Sequence, residues 1–520
     1  MLPALAIGLC SSLAVRPASA APCDNLTSLS LPDTTIRSAA AVPGGAFVPP
    51  GSTTPVNLPA FCRVVGQIRP AINFEVWLPA AGWSGRLQVV GNARLEGAIN
   101  YAAMGASMTR GSAVASSDLG HVSKPSEGFD ARWAVERPEL VVDFGHRATH
   151  VTTVNAKEIT RSFYERPADR AYFVGCSKGG QQGLMEAQRY PGDFDGIIAG
   201  APAHDWTRFY VGGHLWYASA TLKDPDSYIP ASKLPLLDTA VNTACDGLDG
   251  VVDGLLTDPR ACRFDPQQLA CKPGEDAVSC LTPKQVKAVK DIWGGARTSS
   301  GAQIFPGLMP GAVAVPGAWD VWIAGPAPFT STHWLASDGF FKHIVFDDPK
   351  WDFRTFDFDR DVDRALARVG GALDATDPNL RPFRALGSKL IVYHGWSDQD
   401  ISPLSSISYF EDVASVIGGE GRDAAIRETQ DFFRLFMAPG MGHCAGGPGP
   451  SSFDMIAALE AWVERGVAPA SVTATHFTNG VAARSRPLCP YPLVARWDGS
   501  GSIDQAASFS CVAPPPQPAR

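Results

Sequence analysis

The sequence predicts an α/β fold in which a parallel-sheet domain is interrupted by a long insertion. Three observations carry this expectation. Short apolar strands alternate with helical patterns over residues 60–205 and again over 380–470, as in chains built from βα units. Between Asp205 and about Ala375 the alternation stops, and Gly, Pro and aromatic residues take over. Finally, the β-prone run Ala171-Tyr172-Phe173-Val174 leads directly into Gly175-Cys176-Ser177-Lys178-Gly179-Gly180, and a helix-forming stretch runs from Gln181 to Arg189.

A chain of 520 residues is too long for one ordinary domain, so one large domain with an insertion, or two domains, is expected. The predicted organisation is a signal segment over 1–20, a first sheet part over 21–204, a lid over 205–376 and a second sheet part over 377–520. With 44 basic against 52 acidic residues and no run of Lys or Arg, the chain lacks the electrostatic footprint of a nucleic-acid binder. No apolar stretch near 20 residues follows the N-terminus, so no membrane span is expected.

At the N-terminus, Leu2 to Val15 is apolar and Ala18-Ser19-Ala20 has the small residues that signal peptidase accepts, although no Lys or Arg precedes the run. The expectation is a secreted or periplasmic protein. Cleavage removes Cys10 and leaves ten cysteines. In an exported chain an even set reads as disulfides. A zinc site is set aside, because no Cys-x2-Cys spacing is present. The sequence leaves the connectivity open. The cheapest loops to close pair Cys23 with Cys62, Cys245 with Cys262, Cys271 with Cys280 and Cys489 with Cys511, leaving Cys176 with Cys444.

The stretch around Ser177 fits G-x-S-x-G between a strand and a helix, the context that makes a nucleophile elbow. Ser177 is the expected nucleophile, and the amide of Lys178, at the helix N-terminus, would donate to an oxyanion. In the chain order Ser, acid, His of an α/β-hydrolase, the strand Lys389–Tyr393 is followed by His394-Gly395-Trp396-Ser397-Asp398. Asp398 is the favoured acid and Asp400 its rival. The run Phe432–Phe436 then leads to Gly440-Met441-Gly442-His443-Cys444. His443 is the expected general base, with His394 as runner-up and expected to be structural. Cys176 precedes Ser177 and Cys444 follows His443, so a bond between them would tie the two turns together.

On these elements the sequence resembles the tannase/feruloyl esterase family of α/β-hydrolases, with Ser117-Asp118-Leu119-Gly120-His121 and Phe144-Gly145-His146-Arg147-Ala148 as weaker blocks. The resemblance implies Ser177, Asp398 and His443 as the triad and a Cys176–Cys444 bridge. It also implies a second oxyanion donor from the loop Val89–Gly97. Ala93 and Arg94 stand where glycines are usual, so an amide near Asn92 or Ala93 is expected to donate, with Arg94 an alternative contact to the substrate.

In the insertion, Cys245-Asp246-Gly247-Leu248-Asp249-Gly250-Val251-Val252-Asp253-Gly254-Leu255 gathers three aspartates among glycines. Carboxylates so crowded repel unless neutralised, and Ca2+ prefers such hard oxygens. Asp246, Asp249 and Asp253 with the carbonyls of Val251 and Leu255 form the expected cage, against the alternative of a solvated turn. The spacing is not that of an EF-hand. The resemblance implies a calcium site of this kind in the lid, with a stabilising role.

The functional expectation is an exported serine esterase with no organic cofactor. Seven tryptophans of the insertion (Trp206, Trp216, Trp293, Trp319, Trp322, Trp334 and Trp351) fit a lid that stacks an aromatic acyl group. Feruloyl or related hydroxycinnamoyl esters come first, followed by tannase and then mono(2-hydroxyethyl) terephthalate hydrolase activity. That last activity needs a cation for its substrate's free carboxylate. The reading from another class is a calcium-dependent secreted binding protein on a degenerate hydrolase fold.

Overall fold

The computed structural model describes residues 21–124, 127–276 and 278–514. The signal segment expected over residues 1–20 and most of the Pro-rich tail lie outside the described residues. Nine strands form the main sheet: β1 (Thr34–Val42), β2 (Phe61–Ile68), β3 (Ile72–Pro79), β4 (Arg86–Val90), β5 (Ala113–Ser117), β6 (Arg170–Cys176), β7 (Gly196–Gly200), β8 (Lys389–Gly395) and β9 (Phe433–Ala438). Their spatial order is β1-β2-β3-β5-β4-β6-β7-β8-β9. The first three and β5 pair antiparallel, and every pairing from β5 to β9 is parallel. The central strands read as unbroken apolar runs because helices cover both faces, and β7 (Gly-Ile-Ile-Ala-Gly) is buried at every residue.

On one face, α2 (Ala148–Tyr164) and α3 (Lys178–Arg189) pack Ile159, Phe163, Leu184 and Met185 into the largest core. On the other, α1 (Tyr101–Thr109) sets Met104 and Met108 against Trp77 and Val90. Further along that face, α8 (Met455–Arg465) sets Leu459 and Trp462 against Ile198, Ile391 and Phe436. Each fully buried side chain of this size contributes about 1.5–3 kcal/mol.

The chain leaves the sheet after β7 and returns at β8. The residues between them carry α4 (Leu234–Cys245), α5 (Pro283–Gly294) and α6 (Thr332–Phe340). Thr282 and Gln285 close a capping box at the start of α5. Leu237, Val241, Val286, Val289, Ile292 and Trp319 form a separate core there. After α7 (Pro403–Ile417) and α8, the chain ends in two antiparallel hairpins, β10 (Val472–Thr478) with β11 (Val481–Leu488) and β12 (Val494–Trp497) with β13 (Phe509–Val512). Disulfides join Cys23–Cys62, Cys176–Cys444, Cys245–Cys262, Cys271–Cys280 and Cys489–Cys511.

Candidate active site

Ser177 stands between the C-terminal end of β6 and the start of α3 at φ 62°, ψ −118°. A non-glycine residue adopts such a conformation only when its surroundings impose it. Here the Ser177 N–H donates to Gly200 O at 2.9 Å, and Ser177 O accepts from Ala203 N and Gln181 N. The flanking glycines are demanded by space. A Cβ on Gly175 would lie 2.5 Å from Gly179 O, and one on Gly180 would lie 2.4 Å from Gly200 O.

Lys178 opens α3 with its side chain buried. Its ammonium nitrogen lies 4.3 Å from the centre of the Phe144 ring and 5.5 Å from that of Trp206, and it donates to Gln181 Oε1. Burial pulls this amine well below its ordinary pKa. The first amides of a helix have no intrahelical acceptor, so the Lys178 amide remains free of one at the turn. Gln181 in turn donates to Gly145 O and Leu373 O, which ties the Phe144–Ala148 block to α3.

His443 and Asp398 meet beyond the ends of β8 and β9. His443 Nδ1 lies 2.9 Å from Asp398 Oδ2, and Asp398 Oδ1 accepts from the amides of Asp400 and Ile401. The Nδ1–H of His443 therefore donates to the carboxylate, which leaves Nε2 to accept a proton. Burial alone would raise the Asp398 carboxyl. The charge of His443 and hydrogen bonds from His394 and His443 outweigh it and hold Asp398 below the usual carboxylate range. His394 is wholly buried. Its Nε2–H is shared between Ile401 O and Asp398 Oδ2, both at 3.1 Å, while Nδ1 accepts from Ser406. It buttresses the Asp398 carboxylate and does not line the cavity.

Ser177, His443 and Asp400 line one cavity of about 520 Å³ together with Asn92, Ala93, Arg94 and Glu96. Its walls carry the rings of Phe129, Trp206, Phe209, Tyr210, Trp322 and Tyr393, and Trp322 stands edge-on to His443 at 5.9 Å. The cavity gathers residues of the first sheet part, the insertion and the second sheet part.

A family model described as tannase and feruloyl esterase matches residues 56–512. The chain belongs to the tannase and feruloyl esterase family. This esterase is 40% identical to an uncharacterized esterase of Xanthomonas campestris pv. campestris, over 97% of this chain and 93% of that one. It is 33% identical to the mono(2-hydroxyethyl) terephthalate hydrolase of Piscinibacter sakaiensis, over 90% and 87% respectively. The crystal structure of feruloyl esterase B from Aspergillus oryzae superposes with a TM-score of 0.85 at 28% identity, covering 94% of this chain and 99% of that one.

Of the two loop amides expected to complement Lys178, that of Asn92 already donates to Gln182 Oε1 at 2.9 Å. The Ala93 amide has no intramolecular acceptor among the described residues, so of the two it is the one free to donate. Arg94, at φ 52°, reaches the cavity but is paired with Glu96 at 3.1 Å and lies over Phe129. The insertion arginines Arg208, Arg260, Arg263, Arg297, Arg354 and Arg360 do not line the cavity. Of the seven insertion tryptophans, Trp206 and Trp322 do, while the other five belong to the packed cores.

In the acidic loop, Asp246 accepts from the amides of Asp253 and Gly254, and Asp249 from Val251 N and Thr257 Oγ1. The carboxylate of Asp253 accepts from Leu255 N and is engaged by Arg486 and Arg484 of β11. Among the described residues, the clusters of three His, Cys, Asp or Glu tight enough for one ion are His214–His333–Asp400 and His150–Glu186–Asp193. The loop aspartates do not form one, and a cation at Asp253 has to compete with two guanidinium groups.

Sequence reasoning missed His214, His333 and Gln399, whose Oε1 accepts from His443 N. His214 and His333 come from segments without a motif, whereas Gln399 lies between Asp398 and Asp400 on the turn already singled out, where its side chain's role had no signal of its own. Only the fold brings them together.

Proposed function

We propose that this family esterase hydrolyses neutral esters of aromatic acids through Ser177, His443 and Asp398. The observation that carries the reading is the shared cavity. The strained Ser177 turn and the Asp398-oriented His443 face one aromatic-walled space, and the Cys176–Cys444 bond joins the residues next to them. In this reading Ser177 Oγ attacks the ester carbonyl while His443 Nε2 takes its proton and passes it to the leaving alcohol. Asp398 steadies the imidazolium, and the amides of Lys178 and Ala93 receive the developing oxyanion. Water then hydrolyses the acyl-enzyme by the same route.

Feruloyl or hydroxycinnamoyl esters are preferred over terephthalate monoesters, because Glu96 already neutralises Arg94, the arginine that lines the cavity. Galloyl esters remain the second choice. Export of the chain and a stabilising Ca2+ in the acidic loop belong to the same proposal. No step of the reaction is routed through the metal. The test is kcat/KM on methyl ferulate, methyl gallate and mono(2-hydroxyethyl) terephthalate for wild type and Ser177→Ala. Equal rates in the two proteins overturn the serine mechanism. A preference for the terephthalate monoester overturns the substrate assignment.

A further inference from the structure

Asp400 sits beside His443, and the Ser177–His443–Asp398 reading gives it no task. Its Oδ2 lies 3.4 Å from His443 Nε2, and its Oδ1 lies 3.8 Å from His214 Nε2. Oδ1 has no hydrogen-bond partner among the described residues. The protonation of the neighbouring histidines can be worked out from their partners. His333 Nε2 is 3.0 Å from Gln399 O, and a carbonyl only accepts, so that nitrogen carries hydrogen. Burial holds His333 and His214 neutral by lowering both pKa values. His333 Nδ1 is therefore bare and accepts from His214 Nδ1–H at 2.7 Å. That in turn leaves His214 Nε2 bare, with its lone pair turned towards Asp400.

A lone pair offers a carboxylate no compensation. Asp398 nearby is another anion, and the phenols of Tyr210 and Tyr217, kept protonated by burial, make no hydrogen bond to Asp400 among the described residues. Arg94 acts on Asp400 through space and is paired with Glu96. What faces the Asp400 carboxylate at close range as a donor is His443 Nε2–H.

We propose that Asp400 is a positioning residue for the base. Its carboxylate holds a proton on His443 Nε2, the atom that must be bare to accept the Ser177 proton, and so delays the onset of activity into the alkaline range. The His214–His333 pair denies Asp400 any other donor on the lid side. This inference rests on the reading of Ser177 and His443 as nucleophile and base.

The electrostatics agree with the geometry. Burial alone would lower the pKa of His443, but Asp398 and Asp400 outweigh it and push His443 up to about 9. A base whose pKa is raised stays protonated, and inactive, until the pH climbs towards that value. Burial lifts Asp400 to about 7 against the pull of His443. The two groups titrate as a pair.

The test is the pH profile of kcat/KM for p-nitrophenyl acetate with wild type, Asp400→Asn and Asp400→Ala. Removing an anion this close should lower the acid limb by at least about one pH unit. The variants should then exceed wild type severalfold near pH 8, where Asp400 is ionised while His443 is still protonated. A purely structural residue produces no such gain. An unmoved limb, or an equal loss at every pH, overturns the proposal. A second measurement needs wild type alone: phosphonylation of Ser177 by a phosphonofluoridate should follow the same alkaline limb, and an onset near the ordinary histidine pKa also overturns it. If instead Ser177→Ala keeps full activity, the underlying mechanism has failed and the role of Asp400 falls with it.

Discussion

Ser177 is held in a backbone conformation that only a crowded turn can enforce, and the crowding is the work of glycines. Gly175 and Gly180 leave no room for a methyl group against Gly179 O and Gly200 O. We expect Gly180→Ala to cost about 1–3 kcal/mol in a denaturant melt and to lower kcat as the turn relaxes; unchanged stability and activity would show that the turn tolerates a side chain. Ser177→Ala should reduce kcat by about a million-fold with the fold intact, read on p-nitrophenyl acetate with circular dichroism as control. Asp398 accepts hydrogen bonds from His443 and His394 together. Asp398→Asn should therefore lower kcat about ten-thousand-fold through the wrong imidazole tautomer, whereas Asp400→Asn at neutral pH should not. A comparable loss in both variants would mean that the two aspartates share the acid's role.

Between elements, the decisive link is Cys176–Cys444, which closes a loop of 268 residues' separation between the end of β6 and the turn after β9. Chain-entropy arguments assign such a closure about 5 kcal/mol. A Cys176→Ala/Cys444→Ala double variant should lose much of that in a denaturant melt and lose activity at temperatures where it is still folded. Retained activity would show that packing alone positions His443. The acidic loop joins the same region. A Cβ on Gly440, three residues before His443, would sit 2.6 Å from Leu255 Cδ2, and Arg260 lies over Trp396 at 5.2 Å. Chelation by EDTA is expected to lower the melting temperature and to weaken activity in parallel, with Ca2+ restoring both; no shift would identify a solvated turn held by Arg486. These contacts mark the limit of what could be read from sequence. The elbow, the strands before Asp398 and His443 and the four short cysteine loops were legible, because each rests on local spacing or on glycine and cysteine chemistry, whereas Cys176–Cys444 followed only as the remaining pair and from the family resemblance. The antiparallel β1–β3, the His214–His333 pair and the seat of Leu255 beneath Gly440 were not, because long-range packing decides them and no residue pattern announces them.

At the scale of the whole molecule, charge bears on which esters can enter. The chain carries a formal net charge of −8, and in the cavity wall Arg94 is tied to Glu96 and His443 faces Asp400, so no cation is left unpaired there. A monoanionic aromatic ester therefore approaches a like-charged protein and finds a guanidinium already engaged, while a neutral ester meets only the aromatic walls. Salt screens such repulsion between separated charges within about 10 Å at 0.1 M. Raising the ionic strength should therefore raise kcat/KM for mono(2-hydroxyethyl) terephthalate severalfold and leave methyl ferulate unchanged. Glu96→Gln frees Arg94 and should narrow the gap between the two substrates by about tenfold, the worth of one well-placed ion pair of about 1.4 kcal/mol. If salt moves both substrates equally, or Glu96→Gln leaves their ratio as it was, selectivity resides in the shape of the aromatic walls, with Phe129 and Trp322 the first side chains to vary.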